Sequence, residues 1–146
     1  MASNINNTTP ASPAGSKNLQ WQLDTGGNIS ANYVAPFDVS AFNPGIGVNG
    51  QMLGRAQMTR PVTFPASAPN SKAEADVAAT GSTTFTLKKN GTSFATIVFS
   101  ASGTTGAFTQ ASDATFAAGD LLEIDGPATA DATLADISIN LFGYLT

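Results

Sequence analysis

Apolar and polar residues alternate one for one along several short stretches of this chain, and that period of two marks strands with one buried face. The first is Asn18-Leu19-Gln20-Trp21-Gln22-Leu23, where Leu19, Trp21 and Leu23 share a face. Asp24-Thr25-Gly26-Gly27 reads as a turn, its glycines supplying positive φ. The alternation resumes through Ile29, Ala31 and Tyr33, so residues 18–34 are predicted to form a hairpin. The clearest signal lies further on. Thr84-Phe85-Thr86-Leu87-Lys88-Lys89 is a strand, Asn90-Gly91 the favoured two-residue hairpin turn, and Thr92 to Ser100 the return strand. That turn predicts Lys89 opposite Thr92, Leu87 opposite Phe94 and Phe85 facing Thr96.

Short strands are also predicted at 106–110, 114–116 and 121–125, separated by turns at Ser102-Gly103, Ser112-Asp113 and Gly119-Asp120. In the last strand, Ala135 to Leu145, Ile137, Ile139, Leu141 and Leu145 take one face and Ser138, Asn140, Phe142 and Tyr144 the other. Between the two hairpins the pattern weakens. Pro36, Pro44, Gly45, Gly47 and Gly50 punctuate residues 35–50, which read as an irregular loop lying along a surface. Residues 51–64 hold one or two short strands, with Pro61 and Pro65 confining Val62 and its neighbours to a sheet edge. Lys72 to Ala79 fits one helical turn or an alanine-rich strand. Many short strands with regular turns make an all-β chain, a β-sandwich or a barrel, of which a jelly-roll-like sandwich is the expected fold. The predicted organisation is an extended arm over 1–17, interrupted by Pro10 and Pro13 and disordered when alone, an assembly region of hairpin and loop over 18–71, and a C-terminal sandwich over 72–146.

Composition narrows the function. The 146 residues suffice for one domain with a real core. Hydrophobic residues make up 42% but charged ones only 11%, so Ser, Thr, Asn, Gln and Gly must cover the surface. Such a surface resists self-association weakly. The net charge is −4, and among six cations only Lys88 and Lys89 adjoin, so nucleic-acid binding is not expected. No apolar run is long enough to cross a bilayer. The first residues carry neither the basic nor the apolar region of a secretion signal, and synthesis in a cytoplasm without export is expected. With no Cys and no His, disulfides, thiolate metal sites and the commonest general base are all missing.

Candidate chemistry is correspondingly thin. The Ser16-Lys17 and Ser71-Lys72 pairs cannot easily cooperate, because neighbours on extended chain point apart. Glu74 with Asp76, and Glu123 with Asp125, would each share a strand face about 7 Å apart, within the spacing of glycosidase carboxyls. Asp120, Glu123, Asp125 and Asp131 are dense enough to hold calcium, but their spacing fits no EF-hand, and Gly119-Asp120 and Asp125-Gly126-Pro127 are equally turns. The glycosylation patterns at Asn7, Asn28 and Asn90 are chance matches in an Asn/Thr-rich chain. Neither catalytic residues nor a cofactor are therefore expected. Trp21, Phe37 and Phe42 are assigned to an assembly interface, and Phe142 and Tyr144 to a subunit contact or a receptor surface.

Two segments carry a resemblance. Pro13-Ala14-Gly15-Ser16-Lys17-Asn18-Leu19-Gln20-Trp21-Gln22-Leu23-Asp24, continued by Gly27-Asn28-Ile29-Ser30-Ala31, resembles a pattern near the start of bacteriophage tail-fibre-like proteins. Gly81 to Leu145, with Phe85-Thr86-Leu87-Lys88-Lys89-Asn90-Gly91, Phe116-Ala117-Ala118-Gly119-Asp120 and Asp131-Ala132-Thr133-Leu134-Ala135-Asp136, is similar to a small β-sandwich module of phage tail, fibre and surface proteins. Together they cover somewhat over half the chain. The resemblance implies a non-enzymatic structural protein of a virion, assembled in the host cytoplasm, with other virion proteins and copies of itself as partners. A trimer is favoured by analogy with fibres, and a host surface glycan is a further partner. Fibre tip, tail accessory protein, capsid decoration and head fibre all fit. A carbohydrate-binding adhesin is the alternative reading, with a polysaccharide depolymerase behind it.

Overall fold

The computed structural model describes the backbone of residues 19–23 and 29–33 and all residues from 35 to 146. The hairpin expected near the start forms: β1 (Leu19–Leu23) and β2 (Ile29–Tyr33) pair antiparallel with Trp21 opposite Ala31. The arm over 1–17 and the turn after Leu23 lie outside the described residues.

A separate compact unit runs from Pro36 to Thr146. Its strands are β3 (Pro36–Ile46), β4 (Met52–Gln57), β5 (Val62–Phe64), β6 (Lys72–Val77), β7 (Thr83–Lys89), β8 (Thr92–Phe99), β9 (Gly106–Gln110), β10 (Ala114–Phe116), β11 (Leu121–Asp125) and β12 (Ala135–Leu145). They build two five-stranded antiparallel sheets. One has the order β10-β5-β12-β3, with β6 also paired to β12, and the other is β4-β11-β7-β8-β9. The expected all-β sandwich is thus the observed architecture.

The alternation read from the sequence sets which side chains face inward. Ile137, Ile139 and Leu141 of β12 pack against Phe85 and Leu87 of β7, Ile97 and Phe99 of β8, and Leu122 and Ile124 of β11, in one continuous core. Each large aliphatic or aromatic side chain so buried stabilises the fold by about 1.5–3 kcal/mol. Close approach is enforced at Gly106 on β9, where a Cβ would sit 2.6 Å from Ile97 Cγ2 and 2.8 Å from Ala73 Cβ. Among the described residues, no buried side-chain nitrogen or oxygen lacks a hydrogen-bond partner. Gln110, nearly fully buried, donates through Nε2 to Phe64 O and Ser112 O, and so ties the turn after β9 to β5.

Three expectations are corrected and one choice is decided. Residues 35–50 are mostly strand: β3 pairs with β12 along almost its whole length. The misleading Pro44 and Gly45 sit where the register slips between Asn43 and Ile46, a bulge on an edge strand, which is where a sheet tolerates proline. The sandwich therefore begins at Pro36, with β3, β4 and β5 inside its two sheets, and not near residue 72. Second, β5 is not an edge strand. It lies between β10 and β12, because Pro61 and Pro65 fall just outside it and β12 reaches it only through Tyr144 and Leu145. Of the two readings held open for residues 72–79, the alanine-rich strand is the one that forms, Lys72–Val77 with Ala73 and Ala75 inward. Third, the β7–β8 register is offset. Lys89 faces Thr92 as predicted, but Leu87 faces Ala95 and Phe85 faces Ile97. The extra residue is Phe94, which a bulge carries inward against two other rings.

Candidate functional site

The fold scatters the acidic residues. Lys88 Nζ lies 2.6 Å from Asp125 Oδ2 and Arg55 Nε 3.7 Å from Glu123 Oε1, both across neighbouring strands. Hydrogen bonding to Asp125 raises the Lys88 pKa above its usual value. Asp120 accepts hydrogen bonds from Asn90 Nδ2 and Ala117 N and pairs with Lys89 Nζ at 3.0 Å. These donors, the Asn90 amide first, lower its pKa to about 2. Asp131 accepts from the backbone N–H groups of Thr80, Gly81, Thr133 and Leu134, which hold its carboxyl far below the usual range and clip two loops together. Each of the four carboxylates expected to form a cluster is thus occupied by the protein's own donors. No group of three or more metal-ligating side chains occurs among the described residues.

The other candidates fall as follows. Glu74 accepts from Thr105 Oγ1, and Asp76 is exposed on the same strand. Ser71 Oγ accepts from Phe142 N, and Lys72 is exposed. Ser16, Lys17, Asn7 and Asn28 lie outside the described residues, as does the Trp21 side chain. Asn90 is engaged at both ends of its amide, donating to Asp120 and accepting from Leu121 N. Phe37 is half-buried and packs against the core, so much of its ring serves the sandwich itself. Phe42 is 60% exposed on β3. Phe142 and Tyr144 stand half-buried on the side of β12 away from the core, level with Asp38 and Pro36 of β3. Among the described residues, β12 is the only strand paired with β3, and Ile46, Val48 and Met52 continue the exposed apolar surface along the chain from β3 into β4.

One concave feature was not foreseen. A groove of about 470 Å³ opens at one end of the sandwich, between the β7–β8 hairpin and the turn joining β9 to β10. One wall is Thr92 and Ser93; the other is Ser112, Asp113, Ala114 and Thr115. The groove exists because β8 outruns its neighbour. Its pairing with β9 stops at Ala95–Gln110, which leaves Thr92 to Phe94 facing β10, the end strand of the other sheet. Phe94 forms the floor. Its ring stacks on Phe64 at 6.5 Å and meets the Phe116 ring edge-on at 5.6 Å, but it remains partly exposed. Lys89 lines the groove with its ammonium committed to Asp120 and to Thr115 O. Asp113 Oδ1 accepts from Ala66 N, and its second oxygen accepts no bond among the described residues. The two turns were legible in the sequence, but the bulge that brings Phe94 beneath them was not.

Compared with protein-family models, curated proteins and solved structures, the chain finds no match.

Proposed function

We propose that this chain is a structural protein of a bacteriophage particle, exposed on the virion surface, that works by packing against neighbouring virion proteins and copies of itself, a trimer being the favoured assembly. The observation that carries the reading is the edge of the sandwich at β3. An eleven-residue strand has a single charged residue, Asp38, and bears the exposed Phe42 and, at its end, Ile46. Monomeric proteins guard such edges with lysine, proline, a bulge or a covering loop; in β3 the prolines and the bulge lie towards the ends, at Pro36 and Pro44-Gly45, and residues 37–43 between them carry neither lysine nor proline. An edge of this kind offers backbone pairing together with apolar contact area, and has few charges to desolvate. The resemblance of the Trp21 hairpin and of residues 81–145 to phage tail and surface modules supports the same reading. So does the engagement of Asp120, Glu123, Asp125 and Asp131 in structural bonds, which favours contact over catalysis.

Gold-labelled antibody against the chain, viewed on phage particles by electron microscopy, tests this. Label on the fibre tip, tail or capsid is expected and names the location. Particles free of label, with the protein left in the lysate, would refute it. A carbohydrate-binding adhesin is the second reading, and the groove beneath the β7–β8 hairpin favours it.

A further inference from the structure

We propose that the groove between Thr92–Phe94 and Ser112–Thr115 is a binding site for one or two neutral sugar rings. A role for it in host attachment rests on the virion reading above; the site itself does not.

Four observations converge. The volume, about 470 Å³, falls within the range of small-ligand sites. The lining joins the two surfaces that a pyranose presents. Phe94, partly exposed, offers apolar surface to the C–H side of a ring, and Ser112 with either Thr92 or Ser93, which point apart on the strand, offers hydroxyls to its rim of hydroxyl groups. Asp113 adds a carboxylate whose second oxygen, unbonded among the described residues, can accept from sugar hydroxyls, a charge-assisted bond of the stronger kind. Finally, Phe94 is there through a bulge, a device that re-aims one side chain at the cost of local pairing.

The charges select against acidic ligands. Lys89 is neutralised by Asp120, which leaves Asp113 as the groove's uncompensated charge among the described residues. An anion such as a phosphate or a sialic acid would meet a carboxylate with no free cation beside it. The walls argue against an extended peptide. Three residues of strand span only about 10 Å, room for one or two sugar rings but short for a peptide strand held by a ladder of backbone bonds.

The test is a titration of the ¹⁵N-labelled full chain with lactose, N,N′-diacetylchitobiose and a rhamnose disaccharide, followed by amide shifts. At least one sugar is expected to shift amides at 90–94 and 112–115, and few elsewhere. Asp113→Asn, which keeps the acceptor for Ala66 N, is expected to weaken binding at least tenfold with an unchanged backbone spectrum. Phe94→Leu, a milder change than alanine beside Phe64 and Phe116, is expected to weaken it too. Absence of shifts at tens of millimolar of every sugar overturns the proposal, as does full affinity in Asp113→Asn. Tighter binding of 3′-sialyllactose than of lactose overturns the assignment to neutral sugars. The particle labelling is read independently. Labelled particles with a sugar-blind chain sink only the groove assignment, and a sugar-binding chain missing from particles sinks only the virion reading.

Discussion

Asp131 shows how much a single side chain can organise in a chain with few charges. Four backbone N–H groups from two loops converge on its carboxylate. Those bonds favour the charged form, so the folded pKa lies below the unfolded value and the unfolded state takes up protons first. Asp120, lowered to about 2, acts in the same direction. The stability that both supply is complete above the usual carboxylate pKa and is lost as pH falls through the folded values. Asp131→Asn is therefore expected to lower the urea midpoint at neutral pH, and the gap from the unaltered chain should narrow steadily below about pH 4. A gap that stays constant down to acid pH would show that the charge plays no part. At this scale the sequence was partly legible. The acidic residues stood out, but spacing alone made them neighbours, whereas some of the donors that occupy them come from distant loops, such as Thr80 and Gly81 for Asp131, which lie 51 and 50 residues away.

Strands were easiest to read where alternation was clean. The faces of β12 and the turn at Asn90-Gly91 follow directly from the order of residues, Asn90 and Gly91 both taking the positive φ that the turn requires. The reading failed where a strand broke its own period. Pro44-Gly45 in β3 and Phe94 in β8 occupy bulges, and a bulge moves every following residue to the other face, so a strict count of two misassigns it. The short β5 failed for a different reason. Whether a three-residue strand is central or peripheral depends on what distant chain lies beside it, which no local pattern encodes. The exposed edge at β3 yields a test at this scale. Phe42→Glu removes an exposed ring without touching the core, so the monomer's stability should change by no more than about 0.5 kcal/mol. Sedimentation should show weaker self-association, because a carboxylate on an edge strand opposes pairing with another copy. Unchanged association would place the contact surface elsewhere.

At the scale of the whole molecule, two compact units lie along the chain, the hairpin within residues 1–35 and the sandwich from Pro36. The sandwich has its own core and satisfied polar groups, so removing residues 1–17 should leave its melting transition in place while abolishing incorporation into particles. Normal incorporation of the shortened protein would remove the arm from the assembly mechanism. The sandwich has a further property, set by β12. This strand is flanked on one side by β3 and on the other by β6 and then β5, and all three precede it in the sequence. During synthesis the first sheet has no centre until residues 135–145 leave the ribosome. Until then β3 and β6, which pair among the described strands with β12 alone, wait with their hydrogen-bonding groups open to water, to a chaperone or to the same strand of a neighbouring nascent chain. Folding and assembly thus compete for the same edges, and a chain that meets its copies before β12 arrives is exposed to exchange of strands between molecules.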